Sequence, residues 1–385
     1  MNDWNDVLII SYTKFTNQIN RFSQSYQWHV KTWLLSLLIL IFLTAPFFNF
    51  HYIFDRNLNW ETIEFQSRNF LQRPIAFGNS HIEKMVFRLA VPLLAKLFAL
   101  NRYGIYLGQL ICCGFFLWLM IGVTYKLVNS RVNTILFVIA SLPCYFVFTG
   151  PYDVFGRPDA YPLLCLLIAL YFKNPLIILI ATFAAAWCDE RAIINATWLY
   201  LFWSVYGNKT NSNTPFLFTP LNRYSAGVLF GGVFYLIGRF TLAYFFNFPT
   251  LTSNIGSDAL QANLKYGALS IFSTFGALWL LAVATTLLLL YRHQYQVLLL
   301  YTICLFFSVL TSILVYDIDR SMAYSFPLLF FCLLILKEAT QESSLQLLLC
   351  LIMLINLIKP VTVWDSHFHY IPNLLLRCVE QWGHA

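Results

Sequence analysis

Uncharged apolar runs recur along this chain from Trp33–Phe50 to Leu345–Ile358, with only short polar turns between most of them. The hydrocarbon core of a bilayer is about 30 Å thick and takes roughly 20 apolar residues to cross as a helix. No water is present there to satisfy bare backbone, so only helices and closed barrels can span it. The runs are continuous rather than alternating, which argues against an outer-membrane barrel. Charged residues make up 11% of the chain, against about 25% in a soluble domain. The expected fold is therefore all-α. It is a polytopic transmembrane helical bundle of about 10–11 membrane segments, including short hairpin helices, plus an interfacial helix in the first outer loop.

The order of segments follows from the polar breaks. Residues 1–32 read as a cytoplasmic amino-terminal segment, polar and partly amphipathic, without a cleavable signal. A membrane domain occupies 33–358, and residues 359–385 form an outer-face tail. Within the domain, residues 51–102 make a long outer loop. Its second half carries Ile82, Val86, Leu89, Leu93 and Leu97 at helical spacing, with Lys84 and Arg88 on another side. That pattern suits a helix lying in the interface plane, bent at Pro92. The runs Ala160–Phe172 and Leu176–Trp187 are short for a bilayer, which suggests helices that end inside the protein around a cavity. The nine cysteines sit mostly within apolar runs, as small hydrophobes rather than a disulfide or metal framework.

Charge distribution sets the orientation. Lys14, Arg21 and Lys31 precede the first span and put the amino end inside. Alternating the spans then puts Lys126/Arg131, Lys173, Lys209/Arg223, Arg292 and Lys337 on the cytoplasmic side. Most acids fall outside. Topology rules barely weigh Asp and Glu, so this one-sidedness points to a site. The net charge of +7 fits cytoplasmic loops and lipid headgroups, and no nucleic-acid motif is present.

Three stretches concentrate the charges: Gly150–Pro162 (GPYDVFGRPDAYP), Cys188–Ile193 (CDERAI) and Tyr316–Ser321 (YDIDRS). Full charges near a bilayer persist where they face a polar cavity or a membrane surface. All three are expected to line one polar site at one membrane face. The candidate catalytic acids are Asp153, Asp159, Asp189, Glu190 and Asp319, one of which would act as general base. The candidate substrate-binding residues are His81, Lys84, Arg88, Arg157, Arg191 and Arg320, suited to a phosphate at headgroup level. A second carboxylate could hold a divalent cation through oxygen ligands, although no metal site is assigned. Blander roles compete: Asp153 and Asp159 could cap helices, Asp319–Arg320 could be a structural ion pair, and Arg239, in mid-span, could pair with an acid or face the cavity.

The motifs HIEKMVFRLAVPLLAKL, GRPDAYPLL, DERAII and DIDRSMAYSFP resemble patterns in a poorly characterised bacterial branch of the GT-C superfamily of polytopic glycosyltransferases. The resemblance is architectural and scattered over residues 81–330. It implies a membrane lipid partner, a polyprenyl-phosphate-linked sugar as donor, and a glycan, lipid or protein acceptor at the periplasmic face of an inner membrane. In that superfamily the catalytic acid often lies in the first outer loop, which adds Asp55, with Glu61 and Glu64 as alternatives. A transporter or flippase of a lipid-linked saccharide, or a surface-polysaccharide polymerase or ligase, would use the same charges. The nearly uncharged inner halves of the spans favour one-sided chemistry over transport.

Overall fold

A computed structural model of the chain describes residues 2–44, 53, 58–72, 85–207, 218–248, 259–261, 263, 267–315, 317–358, 360–364 and 367–370. Among these are seventeen α-helices, forming a helical membrane bundle. Helices α1 (Asn2–Ser23) and α2 (Trp28–Thr44) meet at a bend of 117°. A small cap follows, made of α3 (Leu58–Arg68), a 3-10 turn (Met85–Phe87) and α4 (Ala90–Leu97). The longest helix is α5 (Arg102–Val128). The next two, α6 (Arg131–Ser141) and α7 (Tyr145–Tyr152), are broken by 66° around Pro143. Three short apolar helices come next: α8 (Ala160–Tyr171), α9 (Pro175–Cys188) and α10 (Arg191–Tyr206). The remainder are α11 (Arg223–Phe246), α12 (Gly267–Phe275), α13 (Trp279–Tyr291), α14 (Tyr295–Ile313), α15 (Ile318–Ala323), α16 (Pro327–Ala339) and α17 (Glu342–Ile358). Two short antiparallel strands, β1 (Pro360–Trp364) and β2 (His367–Tyr370), close the described chain.

The polar turns are helix starts in chemical terms. The side chains of Asn101, Ser130, Asn174 and Asn222 each accept a backbone N–H from the first turn of the helix that follows. Such a residue satisfies one of the four donors that a helix start leaves orphaned. At the start of α9 the residue after Asn174 is Pro175, which has no N–H to satisfy. Among the described residues four helices are long and apolar enough to cross a bilayer, or up to six spans if each bent pair counts as one. The 14 residues of α9 reach only ~21 Å at 1.5 Å per residue, less than the hydrocarbon thickness. The turn into α10 therefore lies below the level reached by the longer spans.

Packing follows composition. Residues Leu328–Leu336 of α16 are all buried, so this helix, apolar on every side, is the bundle's centre. By contrast α11 and α14 expose Phe230, Phe240, Leu299 and Phe306 in the manner of lipid-facing surface. Helix α11 lies against α9 through Gly227 and Gly231. A Cβ at either would come within 2.6 Å of the Pro175 carbonyl or 2.8 Å of the Leu179 carbonyl. Small residues four apart bring two membrane helices into backbone contact.

The cap differs from the expected interfacial helix. The apolar stripe is not carried by one continuous helix: the described part divides into the 3-10 turn and α4. Val86 and Leu89 are buried inside, while Leu93 and Leu97 are exposed. Pro92 does not bend a helix interior; it sits in the first turn of α4, where its missing N–H costs nothing. The tail, expected to be merely polar, begins with the β1–β2 hairpin.

Several contacts fasten the cap, two of them through Trp60 and Glu64. Trp60, fully buried, donates its indole N–H to the Val154 carbonyl at 2.8 Å. Arg102 donates to both oxygens of Glu64 at 2.8 Å. Those bonds hold the Glu64 carboxyl below its ordinary range, against a smaller opposing effect of burial. A carboxyl whose pKa is depressed on folding stabilises the fold above its unfolded pKa and loses that contribution as pH falls through the folded value. Replacing Glu64 by Gln should therefore lower the apparent unfolding midpoint at neutral pH by an amount worth about 1 kcal/mol or less, with the difference vanishing in acid. Trp60→Ala should cost about 3–5 kcal/mol at every pH, measured in the same thermal scans.

Candidate functional site

The turn between α9 and α10 is built on Asp189. Its backbone is extended, and its Oδ1 accepts the Arg191 backbone N–H at 3.0 Å, an Asx turn that redirects the chain. The same carboxylate receives the Arg191 guanidinium on both oxygens, at 2.8 and 2.6 Å. Its Oδ2 also lies 3.3 Å from Arg88 and 3.5 Å from Arg320. Three arginines, from the cap, from α10 and from α15, thus converge on one buried carboxylate. Arg88 is shared further, with Nε and an Nη each 3.2 Å from a Glu190 oxygen.

Asp159 stands at the N-cap position of α8 but makes no capping bond. Its Oδ2 accepts from Arg320 Nε at 2.5 Å and its Oδ1 from the Tyr324 hydroxyl at 2.6 Å. Asp317 joins Arg157 at 3.2 Å and Arg320 at 3.7 Å. Asp319 accepts from Ser273 Oγ at 3.3 Å, on α12. Asp153 is 4% exposed, and its Oδ1 accepts the Phe155 N–H at 3.0 Å. The loop between α7 and α8 is pressed onto the cap at Gly156. Its φ of +81° favours glycine, and a Cβ there would come within 2.8 Å of the Trp60 nitrogen.

The three charged stretches and Arg88 therefore meet in one place. Gln109 places the start of the α7–α8 loop along α5, donating to the carbonyls of Gly150 and Asp153. Gln109 lies two turns into α5, roughly 10 Å beneath its Arg102 end at 1.5 Å per residue. A cavity of about 20 Å³, lined by Gln66, Arg88, Asp159, Cys188 and Arg320 among others, opens beside the network. That is room for about one water.

Burial and neighbours set the acids apart. Burial alone would raise the pKa of Asp189, but Arg191, Arg88 and Arg320 outweigh it and hold the carboxyl far below the ordinary range. Glu190 is lowered too, Arg88 prevailing over burial. Asp153 moves the other way. Burial first, then the charge of Asp159, pushes it up to about 7, with Arg320 and Arg157 only partly compensating.

Of the other sequence candidates, Asp55, His81 and Lys84 lie outside the described residues. Arg239 meets no acid among the described residues. It donates to the Tyr235 hydroxyl at 2.7 Å and lies 4.1 Å from the Phe87 ring centre. Sequence reasoning missed Tyr324 and Gln109 as parts of the site, and placed Asp317 there only as a member of the stretch Tyr316–Ser321. A signal existed for Tyr324, which follows Arg320 by one helical turn and so shares its face. Among the described residues no group of three or more His, Cys, Asp or Glu is placed to hold a metal ion. The carboxylates that could have served a divalent cation instead face arginines, a serine and backbone, so the described site does not fit one. Comparison with models of known families, with curated proteins and with solved structures found no match to this chain.

Removing the Asp189 charge while keeping its shape leaves three arginines short of a shared partner. Asp189→Asn should cost about 3–5 kcal/mol, seen as a lower unfolding midpoint in detergent. Asp319→Asn, at a half-buried carboxylate, should cost much less in the same assay.

Proposed function

We propose that this integral membrane protein is an inverting glycosyltransferase of GT-C type. It would take a sugar from a polyprenyl-phosphate donor and deliver it to a glycan, lipid or protein acceptor at the periplasmic face of a bacterial inner membrane. The observation that carries the reading is the convergence of Arg88, Arg191 and Arg320 on the buried Asp159 and Asp189, with Arg157 joining through the half-exposed Asp317, beneath the cap. Guanidinium forks match phosphate oxygens and stabilise negative charge developing on them. The cavity beside these groups now has room for about one water, so a donor would have to widen it; the low dielectric around the buried arginines strengthens the effect.

In this scheme Asp153 is the general base. Burial, then the charge of Asp159, pushes its carboxyl up to about 7, and it makes no ion pair among the described residues. A base works best with a pKa near the working pH. Asp153 takes the proton of the acceptor hydroxyl as that oxygen attacks the anomeric carbon. The carbon–oxygen bond to the phosphate breaks on the opposite face, and its electron pair leaves with the phosphate, whose charge Arg88 and Arg320 meet. Asp159 and Asp189 hold those arginines in place.

A second reading has its own observation: most of these charges already neutralise one another, as they would in a purely structural clasp. Transfer assays in proteoliposomes with a polyprenyl-phosphate sugar separate the two. Asp153→Asn should lose at least about 10²-fold in rate while keeping the wild-type unfolding midpoint. Wild-type activity should rise with pH through about 7, because the base must be deprotonated. Full activity in the Asn variants of Asp153, Asp159 and Asp189 would leave only the clasp.

A further inference from the structure

A second polar site lies on the far side of the cap from the arginine network, and neither the proposed chemistry nor the core uses it. Helices α3 and α4 enclose a groove of about 310 Å³, bordered by Arg68, Lys96 and Asn101. Both cations are exposed, and neither has a carboxylate within ion-pair distance among the described residues. Lys96 lies 5.7 Å from the Phe70 ring centre. The nearest acid in the groove, Glu64, is already taken by Arg102 on both oxygens, so the groove keeps a positive excess.

Its depth is fixed by the chain itself. Asn101 is the N-cap of α5, whose 27 residues outlast a hydrocarbon core of about 30 Å at 1.5 Å per residue, so the groove belongs at or beyond the end of that span. Beside the lining residues Lys96 and Ala99 in the chain, Leu97 is 68% and Phe98 69% exposed. A soluble surface gains nothing from this pairing of bare cations with bare leucine and phenylalanine. At a bilayer interface it places apolar groups among acyl chains and cations among phosphates.

We propose that this groove binds the phosphate headgroup of an anionic phospholipid, with Arg68 and Lys96 on the phosphate and Leu97 and Phe98 against the acyl chains. The bound lipid anchors the cap, and so the roof of the arginine network, to the leaflet at that face. The proposal rests on the membrane-spanning fold and not on the transferase reading.

The test uses the full-length protein in nanodiscs of phosphatidylcholine, with and without phosphatidylglycerol. Phosphatidylglycerol should raise the wild-type unfolding midpoint. The Arg68→Gln/Lys96→Gln variant should keep the phosphatidylcholine midpoint and lose that increment, with lipid binding about tenfold or more weaker. Arg292→Gln, on a basic turn elsewhere, should keep the increment. An equal increment in the double variant, or its loss in the Arg292 control, overturns the proposal. Added glycerol phosphate should leave the wild type unmoved; if it stabilises as much as the lipid does, the groove is a soluble-anion site instead. Should the double variant fail to fold, Lys96→Gln is read by native mass spectrometry. It should retain one phosphatidylglycerol fewer than wild type, and an unchanged count also overturns the proposal.

Discussion

The structure turns on the meeting of Arg88, Arg191 and Arg320 at one oxygen of Asp189. Any one of these charges alone would be costly at such a depth. Together they fix the relative positions of the cap, the α9–α10 turn and α15, which lie far apart in the chain. Asp159 extends the same device to α8 through Arg320 and Tyr324. What could pass for three local turns is one cross-linked layer.

The bundle beneath makes that layer possible. A helix of ordinary spanning length at α9 would carry Asp189 out to water, where its partners would be weakly held. The 14 residues of α9 stop short. The close approach of α11 at Gly227 and Gly231 holds the shortened helix in register. Helix α16, buried from Pro327 to Leu336, follows closely after α15 and sets the direction from which Arg320 arrives. The apolar scaffold thus decides where the charges can meet, and the charges decide which arrangement of short helices is acceptable.

Much of this was legible in the residues. The short helices α8 and α9 begin and end within a residue or two of the expected runs Ala160–Phe172 and Leu176–Trp187, because apolar length and capping residues such as Asn174 are local signals; the first helix after the bend begins at Trp28 rather than Trp33. The meeting of DERAI with GRPDAYP and DIDRS could be argued from their common side, although not the particular pairings. Those depend on side-chain directions within tightly packed helices, which spacing alone does not give. The cap was harder to read. Val86, Leu89, Leu93 and Leu97 share one helical face on paper, yet the chain breaks between Phe87 and Ala90, so half of that stripe turns inward and half outward. Asp159 was plausible as a helix cap, and only its contacts with Arg320 and Tyr324 reveal a different use. The closeness of α11 to α9 was written in Gly227-Val-Leu-Phe-Gly231, a spacing easily lost among so many apolar residues.

The order of synthesis gives Arg320 a particular weight. Asp159 and Asp189 emerge first and enter the bilayer region before their common partner Arg320 has been made. Until α15 is in place, Asp159 has no guanidinium and the shared oxygen of Asp189 is one short. A nascent chain halted before α15 is thus electrically unfinished at its most hidden point, and arrival of that one late helix marks the moment at which the assembly becomes self-sufficient.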